Sequence, residues 1–221
     1  GELRIGLSSD LGRNLVLPWL SELMENYPEI SLRANISDSN IDFYRDSVDL
    51  ALRYGSPSDA SMYGFKICNV PRILCATQAY LDEYGVPEHP HDLASHNGLF
   101  YQLKDIIKDV WVFSDTKGEY KIKMNGRHAS NDGDLVRRWC IDSKGLAVKS
   151  CLDMSTELLT GQVVPVMGNY TPTPTELWLI FPSRQSITPA ARLLRDTLKQ
   201  KCHDILTMMV KKKILPPSVF D

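Results

Sequence analysis

Residues 2–53 alternate between a two-residue and a near-four-residue apolar period, and this alternation constrains the fold more than any other feature of the chain. "ELRIGL" (2–7) reads as a strand. "LGRNLVLPWLSELMENY" (11–27) sets Leu11, Leu15, Trp19, Leu23 and Tyr27 four apart, the mark of one helix face, with Pro18 expected to kink the helix or mark a restart. "EISLRANI" (29–36) reads as a second strand, "NIDFYRDS" (40–47) as a short helix and "VDLALR" (48–53) as a third strand. A β-α-β-α-β order calls for a parallel sheet with right-handed crossovers.

Beyond it, "YGFKICNVPRILCAT" (63–77) is a long apolar stretch broken by Pro71, followed by a helix at 78–85. After the turn-rich "VPEHPHDLASHNG", strands are expected at 99–101, 110–115 and 119–124, a helix at 132–144, then "GLAVK", "CLDMSTELLT" and "QVVPVM" as strand, helix and strand. "ELWLIFP" (176–182) is a strong apolar strand, and 187–210 is a closing helix with Thr188 as N-cap and Pro189 at its first position. The layout is α/β in two lobes, 1–70 plus 183–210 and 71–182, with the chain crossing near 69–76 and 176–183, and 211–221 as a tail.

With 221 residues, 43% of them hydrophobic and 24% charged, the chain can bury a substantial core. A net charge of −2 gives no overall basic field for nucleic acid or an anionic membrane. No apolar run reaches the ~20 residues of a membrane helix. The chain opens "GELRIGL", without an initiator Met and already in a strand pattern, which reads as an excised domain or a processed chain. Cys68, Cys75, Cys140, Cys151 and Cys202 are odd in number and scattered among apolar neighbours, as reduced core thiols of a cytoplasmic protein would be.

Ligands of open parallel sheets settle outside the C-terminal strand ends. That rule selects Ser8, Ser9 and Asp10; Arg53, Tyr54 and Gly55; Phe100, Tyr101 and Gln102; and Ser130, Asn131 and Asp132. Several of these are equally good helix N-caps. In "VDLALRYG", Asp49 and Arg53 lie about 13 Å apart along a strand, too far to pair, so each needs another partner. For Arg53 that partner is either a carboxylate of the protein or an anionic ligand. His89, His91 and His96 sit in a proline-broken segment without Cys or Glu at ligand spacing, so a structural loop is expected and no metal. There is no G-x-S-x-G, P-loop or G-x-G-x-x-G, hence no expected catalytic residue and no cofactor. Lys211–Lys213 reads as part of a solvated tail.

In order along the chain, "GELRIGLSSDLGRNLVLPWL", "DSVDLALRYG", "CATQAYLDEYGVPEHPHDLASHNGL", "VWVFS", "GRHASNDGDLVRRWC", "SKGLAVKS", "LTGQVVPV" and "LWLIFPSRQSITPAARLLRDTL" resemble the effector-binding domain of LysR-type transcriptional regulators. The resemblance implies two Rossmann-like lobes of the periplasmic-binding-protein type (type II), joined by two crossover strands, with a small effector between them; Arg53 and the helix N-terminal amides would favour an anionic head group on it. The pocket positions it implies are Ser8, Ser9, Arg53, Tyr54, Phe100, Tyr101, Ser130, Asn131 and Val148, with Lys149 as a further wall. It also implies a homodimer through part of 15–36 and helix 132–144, a tetrameric full-length regulator, promoter DNA contacted only through a winged helix-turn-helix N-terminal to this region, and no enzymatic activity. A secreted solute-binding protein of the same fold is the alternative.

Overall fold

The computed structural model describes residues 1–221, and its elements follow the sequence pattern closely. In chain order the strands are β1 (Glu2–Leu7), β2 (Ser31–Ile36), β3 (Leu50–Tyr54), β4 (Tyr63–Val70), β5 (Arg72–Ala76), β6 (Asn97–Leu103), β7 (Ile106–Ile107), β8 (Val110–Asp115), β9 (Gly118–Lys123), β10 (Asn125–Ser130), β11 (Ala147–Ser150), β12 (Val164–Pro165), β13 (Thr171–Pro172) and β14 (Thr175–Phe181). The helices are α1 (Ser9–Leu11), α2 (Leu17–Asn26), α3 (Gln78–Tyr84), α4 (Gly133–Ile141), α5 (Ser155–Thr160) and α6 (Pro189–Lys211).

The first sheet has the order β2-β1-β3-β14-β4. β1 pairs in parallel with β2 and β3, as the alternation requires, while β14 runs antiparallel to both β3 and β4. Facing it, β11 and β12 flank β5, β10 lies parallel to β6, and a bridge between Gly98 and Leu146 links these two groups. The hairpin β8–β9 carries β13. The chain leaves the first sheet at Pro71, between β4 and β5. It returns between Pro172 and Thr175, since β14 pairs with β4 from its first residue.

Two local expectations change. The 40–47 stretch forms turns rather than a helix: Asp42 accepts the Tyr44 and Arg45 N–H groups, and Asp46 accepts the Asp42 N–H. These side chains satisfy the backbone where a helix would have done so, and Ser47 closes the segment at φ 53°. The first helix is interrupted by a π turn at Gly12–Val16, where the Leu17 N–H reaches the Gly12 carbonyl, and Pro18 then stands in the first turn of α2. The extra residue shifts the buried face to Leu11, Val16, Leu20 and Leu23, leaving Leu15 and Trp19 only half-buried and Tyr27 exposed.

Thr188 caps α6 by accepting the Ala191 N–H at 3.1 Å. From α6, Leu194, Leu198, Cys202 and Leu206 join the main core, which continues through Leu50, Leu52 and Leu179 to Cys75, Leu99 and Val136 of the second half. The halves therefore share apolar contacts as well as two chain crossings. A separate core of the second half gathers Tyr80, Phe100, Trp111 and Phe113. All five cysteines are free thiols.

Candidate functional site

A cavity of about 450 Å³ opens between the halves at the C-terminal ends of β1 and β3. Its volume falls in the range of small-molecule sites. Its lining combines polar residues, among them Ser8, Asp10, Asp38, Lys149 and Asp153, with apolar ones, among them Leu99, Val110, Trp111, Val136 and Val148.

The polar residues form a connected network. Ser9 opens α1 and Gly133 opens α4, so a helix from each half presents at the crevice N–H groups that have no partner within their own helix. The Asp38 carboxylate spans them: Oδ1 accepts the Ser9 N–H at 2.7 Å, and Oδ2 accepts the Ser9 hydroxyl and the Gly133 N–H, each at 2.6 Å. The Ser9 hydroxyl in turn accepts the Asp134 N–H at 3.1 Å. Alongside, Lys149 Nζ reaches Asp10 Oδ2 at 2.5 Å and the Gly133 carbonyl at 3.0 Å, while Asn14 donates to Asp10 and to Asp134. Arg137 completes the group, 3.6 Å from Asp10 and 2.6 Å from Glu157. Burial works against the Lys149 charge, but Asp10 and Asp153 outweigh it and hold its pKa above the ordinary lysine value. Asp10 is thus matched by cations.

Tyr54 closes another side of the cavity. Its hydroxyl donates to Asp153 at 2.7 Å and lies 2.8 Å from the Ser150 hydroxyl. Burial, reinforced by the Asp10 charge, raises the Asp153 carboxyl to about 7. Arg72 ties the two chain crossings together by donating to the Thr173 carbonyl at 2.9 Å, and both residues line the cavity.

Of the residues singled out from sequence, Ser8, Tyr54, Tyr101 and Val148 line the cavity together, with Asp10 and Lys149 beside them. Ser9 does not; it is buried under Asp38. Arg53 does not, because alternation in β3 turns it away from Tyr54. Its Nη1 donates to the Ser37 carbonyl at 2.6 Å, and its Nε and Nη2 are buried without acceptors. Burial pulls its pKa below the ordinary arginine value despite Asp38, Tyr101 and Asp46 nearby. Phe100 likewise points opposite to Leu99 and Tyr101, into the second core against Trp111. Ser130 accepts the Asp132 N–H, and Asn131 is exposed beside it, so neither reaches the cavity. Asp132 is the N-cap of α4, accepting the Leu135 N–H.

The three clustered histidines have local partners. His89 Nδ1 accepts the His91 N–H, the two rings stack, and His96 Nδ1 meets the Tyr80 hydroxyl at 2.8 Å. Sequence reasoning missed Asp38, Asp153, Arg72 and Trp111. Asp38 and Asp153 lie in loops where no periodicity points to a partner.

A five-stranded sheet in one half and three smaller sheets in the other, with a polar crevice and two chain crossings between the halves, define a two-part small-molecule binding domain of the periplasmic-binding-protein type. Residues 1–203 match the LysR substrate binding domain. The chain belongs to the LysR family, and the match selects the regulatory reading over the solute-binding one. It is 32% identical over 200 residues to the HTH-type transcriptional regulator DmlR of Escherichia coli (strain K12), covering 90% of this chain and 65% of the relative. It is 29% identical over 181 residues to the HTH-type transcriptional activator TtdR of the same strain, covering 82% and 58%. The chain thus spans less than two thirds of these relatives. The regulatory domain of CrgA from Neisseria meningitidis shares the fold, with a TM-score of 0.80 at 21% identity over 91% of this chain and 98% of that one. No helix is long and apolar enough to cross a membrane.

Proposed function

We propose that this chain is the sensing part of a cytoplasmic transcription regulator, taking up a small carboxylate effector in the cavity between its halves. One observation carries the reading: amide and hydroxyl donors from both halves already converge on a carboxylate, that of Asp38, beside an apolar wall suited to a short organic body. A ligand that grips both halves favours one arrangement of them only by its differential affinity. In the full-length protein that bias reaches promoter DNA through the oligomer. A homodimer through the first helix and β2 is supported by the sheet order, which leaves β2 as an open edge.

Thermal-shift titration of small mono- and dicarboxylates and amino acids is the test. A ligand at a hundred times its Kd adds about 2.7 kcal/mol, which raises Tm by roughly 5–10 °C in a domain of this size. Val148→Trp, which fills the cavity, is expected to abolish that shift. A panel that stabilises neither protein, or both equally, overturns the assignment.

A further inference from the structure

Asp38 is an odd resident of a ligand cavity. It lines the wall, yet its carboxylate has taken all three donors that a carboxylate ligand would seek there: the Ser9 N–H, the Ser9 hydroxyl and the Gly133 N–H. The first two belong to one half of the molecule and the third to the other, so this one side chain bolts the crevice across.

A neighbouring side chain is incompletely partnered. Arg53 holds the Ser37 carbonyl, one residue from Asp38, through Nη1 alone. Its Nε and Nη2 are buried and meet no acceptor, a costly arrangement for charge-bearing donors. Asp38, Tyr101 and Asp46 are the groups that favour its charge. The backbone on either side is pinned, since the Ser37 N–H donates to the Leu7 carbonyl and the Tyr101 hydroxyl reaches the Asp38 carbonyl at 3.4 Å. Side-chain rotation at Asp38 is therefore the economical motion, freeing one cluster of donors and supplying the unfilled donor pair of Arg53 with an acceptor.

We propose that Asp38 is a two-position latch: in one position, seen here, it fills the cluster of donors made by Ser9 and Gly133, and in the other it turns to Nε and Nη2 of Arg53 while a ligand carboxylate takes its former place. The proposal rests on the effector reading above and adds how entry is controlled. Exchange of one carboxylate for another conserves the donors' hydrogen bonds, so the site discriminates against neutral ligands, which would leave Asp38 in place. It also lowers apparent affinity by the fraction of molecules in which the latch is closed. Because Asp38 grips both halves, its release is coupled to their relative freedom.

The test uses acetate as the probe and three variants, Asp38→Ala, Asp38→Asn and the double variant Asp38→Ala/Arg53→Met, each titrated against wild type by thermal shift and calorimetry. Removing the carboxylate should lower Tm, and acetate at about 1–100 mM should restore it in Asp38→Ala with an affinity at least roughly ten-fold above that of wild type. Asp38→Asn, which keeps the shape but presents an amide toward the Gly133 N–H, keeps the comparison available if the alanine variant fails to fold. In the double variant acetate should bind as in Asp38→Ala, because Arg53 acts only on Asp38. Equal acetate responses in wild type and in both single variants overturn the latch, and so does loss of acetate binding when Arg53 is removed, which would make Arg53 itself the anion's partner. If panel carboxylates bind wild type and Asp38→Ala equally, the latch falls and the effector cavity stands. If acetate rescues Asp38→Ala while neither acetate nor any panel carboxylate moves wild type, Asp38 is a fixed bolt that no carboxylate displaces, and the latch falls.

Discussion

Asp153 shows how far one buried carboxyl can tune this molecule. Its folded pKa of about 7 lies above the ~3.9 of an unfolded chain, so the native state holds a proton that the unfolded state has released between those values. Stability therefore falls as pH rises from about 4 to about 7, and changes no further through this group above that. Asp153→Asn, which still accepts the Tyr54 hydroxyl, is expected to flatten that decline and to raise Tm at pH 8 by about 2–5 °C. Melting curves at pH 5, 6, 7 and 8 read this directly, and parallel curves for the two proteins would refute it. Residues of this kind are hard to see in a sequence, because burial and a remote Asp10 set their behaviour. Others were legible and were only half used. Alternation already separates Arg53 from Tyr54 and Phe100 from Tyr101, and in each pair one residue alone faces the cavity. Asp132 follows the capping logic instead, whereas the Ser9 hydroxyl donates to Asp38 and accepts the Asp134 N–H rather than capping its own helix.

At the scale of elements, strong periodicity translated into structure and weak periodicity did not. β1, β3, β8, β14 and α6 lie within a residue or two of their expected bounds. β10 was missed because "NGRHAS" carries little strand propensity; it exists because β6 offers it a parallel edge. The π turn displaced the buried face of the first helix by one residue, which no four-residue count anticipates. The β6–β10 pairing also yields a prediction. A Cβ at Gly126 would sit 2.1 Å from the Gly98 carbonyl oxygen and 2.7 Å from the Phe100 ring, so the strands approach closely only without it. Gly126→Ala is expected to cost about 2–3 kcal/mol in urea unfolding, by forcing these strands apart. A loss below about 0.5 kcal/mol, the scale of a neutral surface change, would show that they relax freely.

For the whole molecule, the two-part architecture was readable from the order of strands and helices, whereas the crevice chemistry was not, since it joins Asp38 to Gly133 and Asp10 to Lys149 across the halves. The placement of β14 in the interior of the first sheet bears on how the chain is made. β3 and β4 are synthesised early but do not touch; each pairs with β14, and residue 179 must arrive beside residue 52. At roughly 5–20 residues per second, the ribosome leaves that slot open for on the order of ten seconds. During that interval two unpaired strand edges are exposed, the form most prone to join a neighbouring chain. A fragment of residues 1–174 should consequently show no cooperative melting and should aggregate, and a sharp transition by circular dichroism would contradict this. The keystone of the first sheet is among the last parts to emerge, so the nascent domain depends on being shielded until it does.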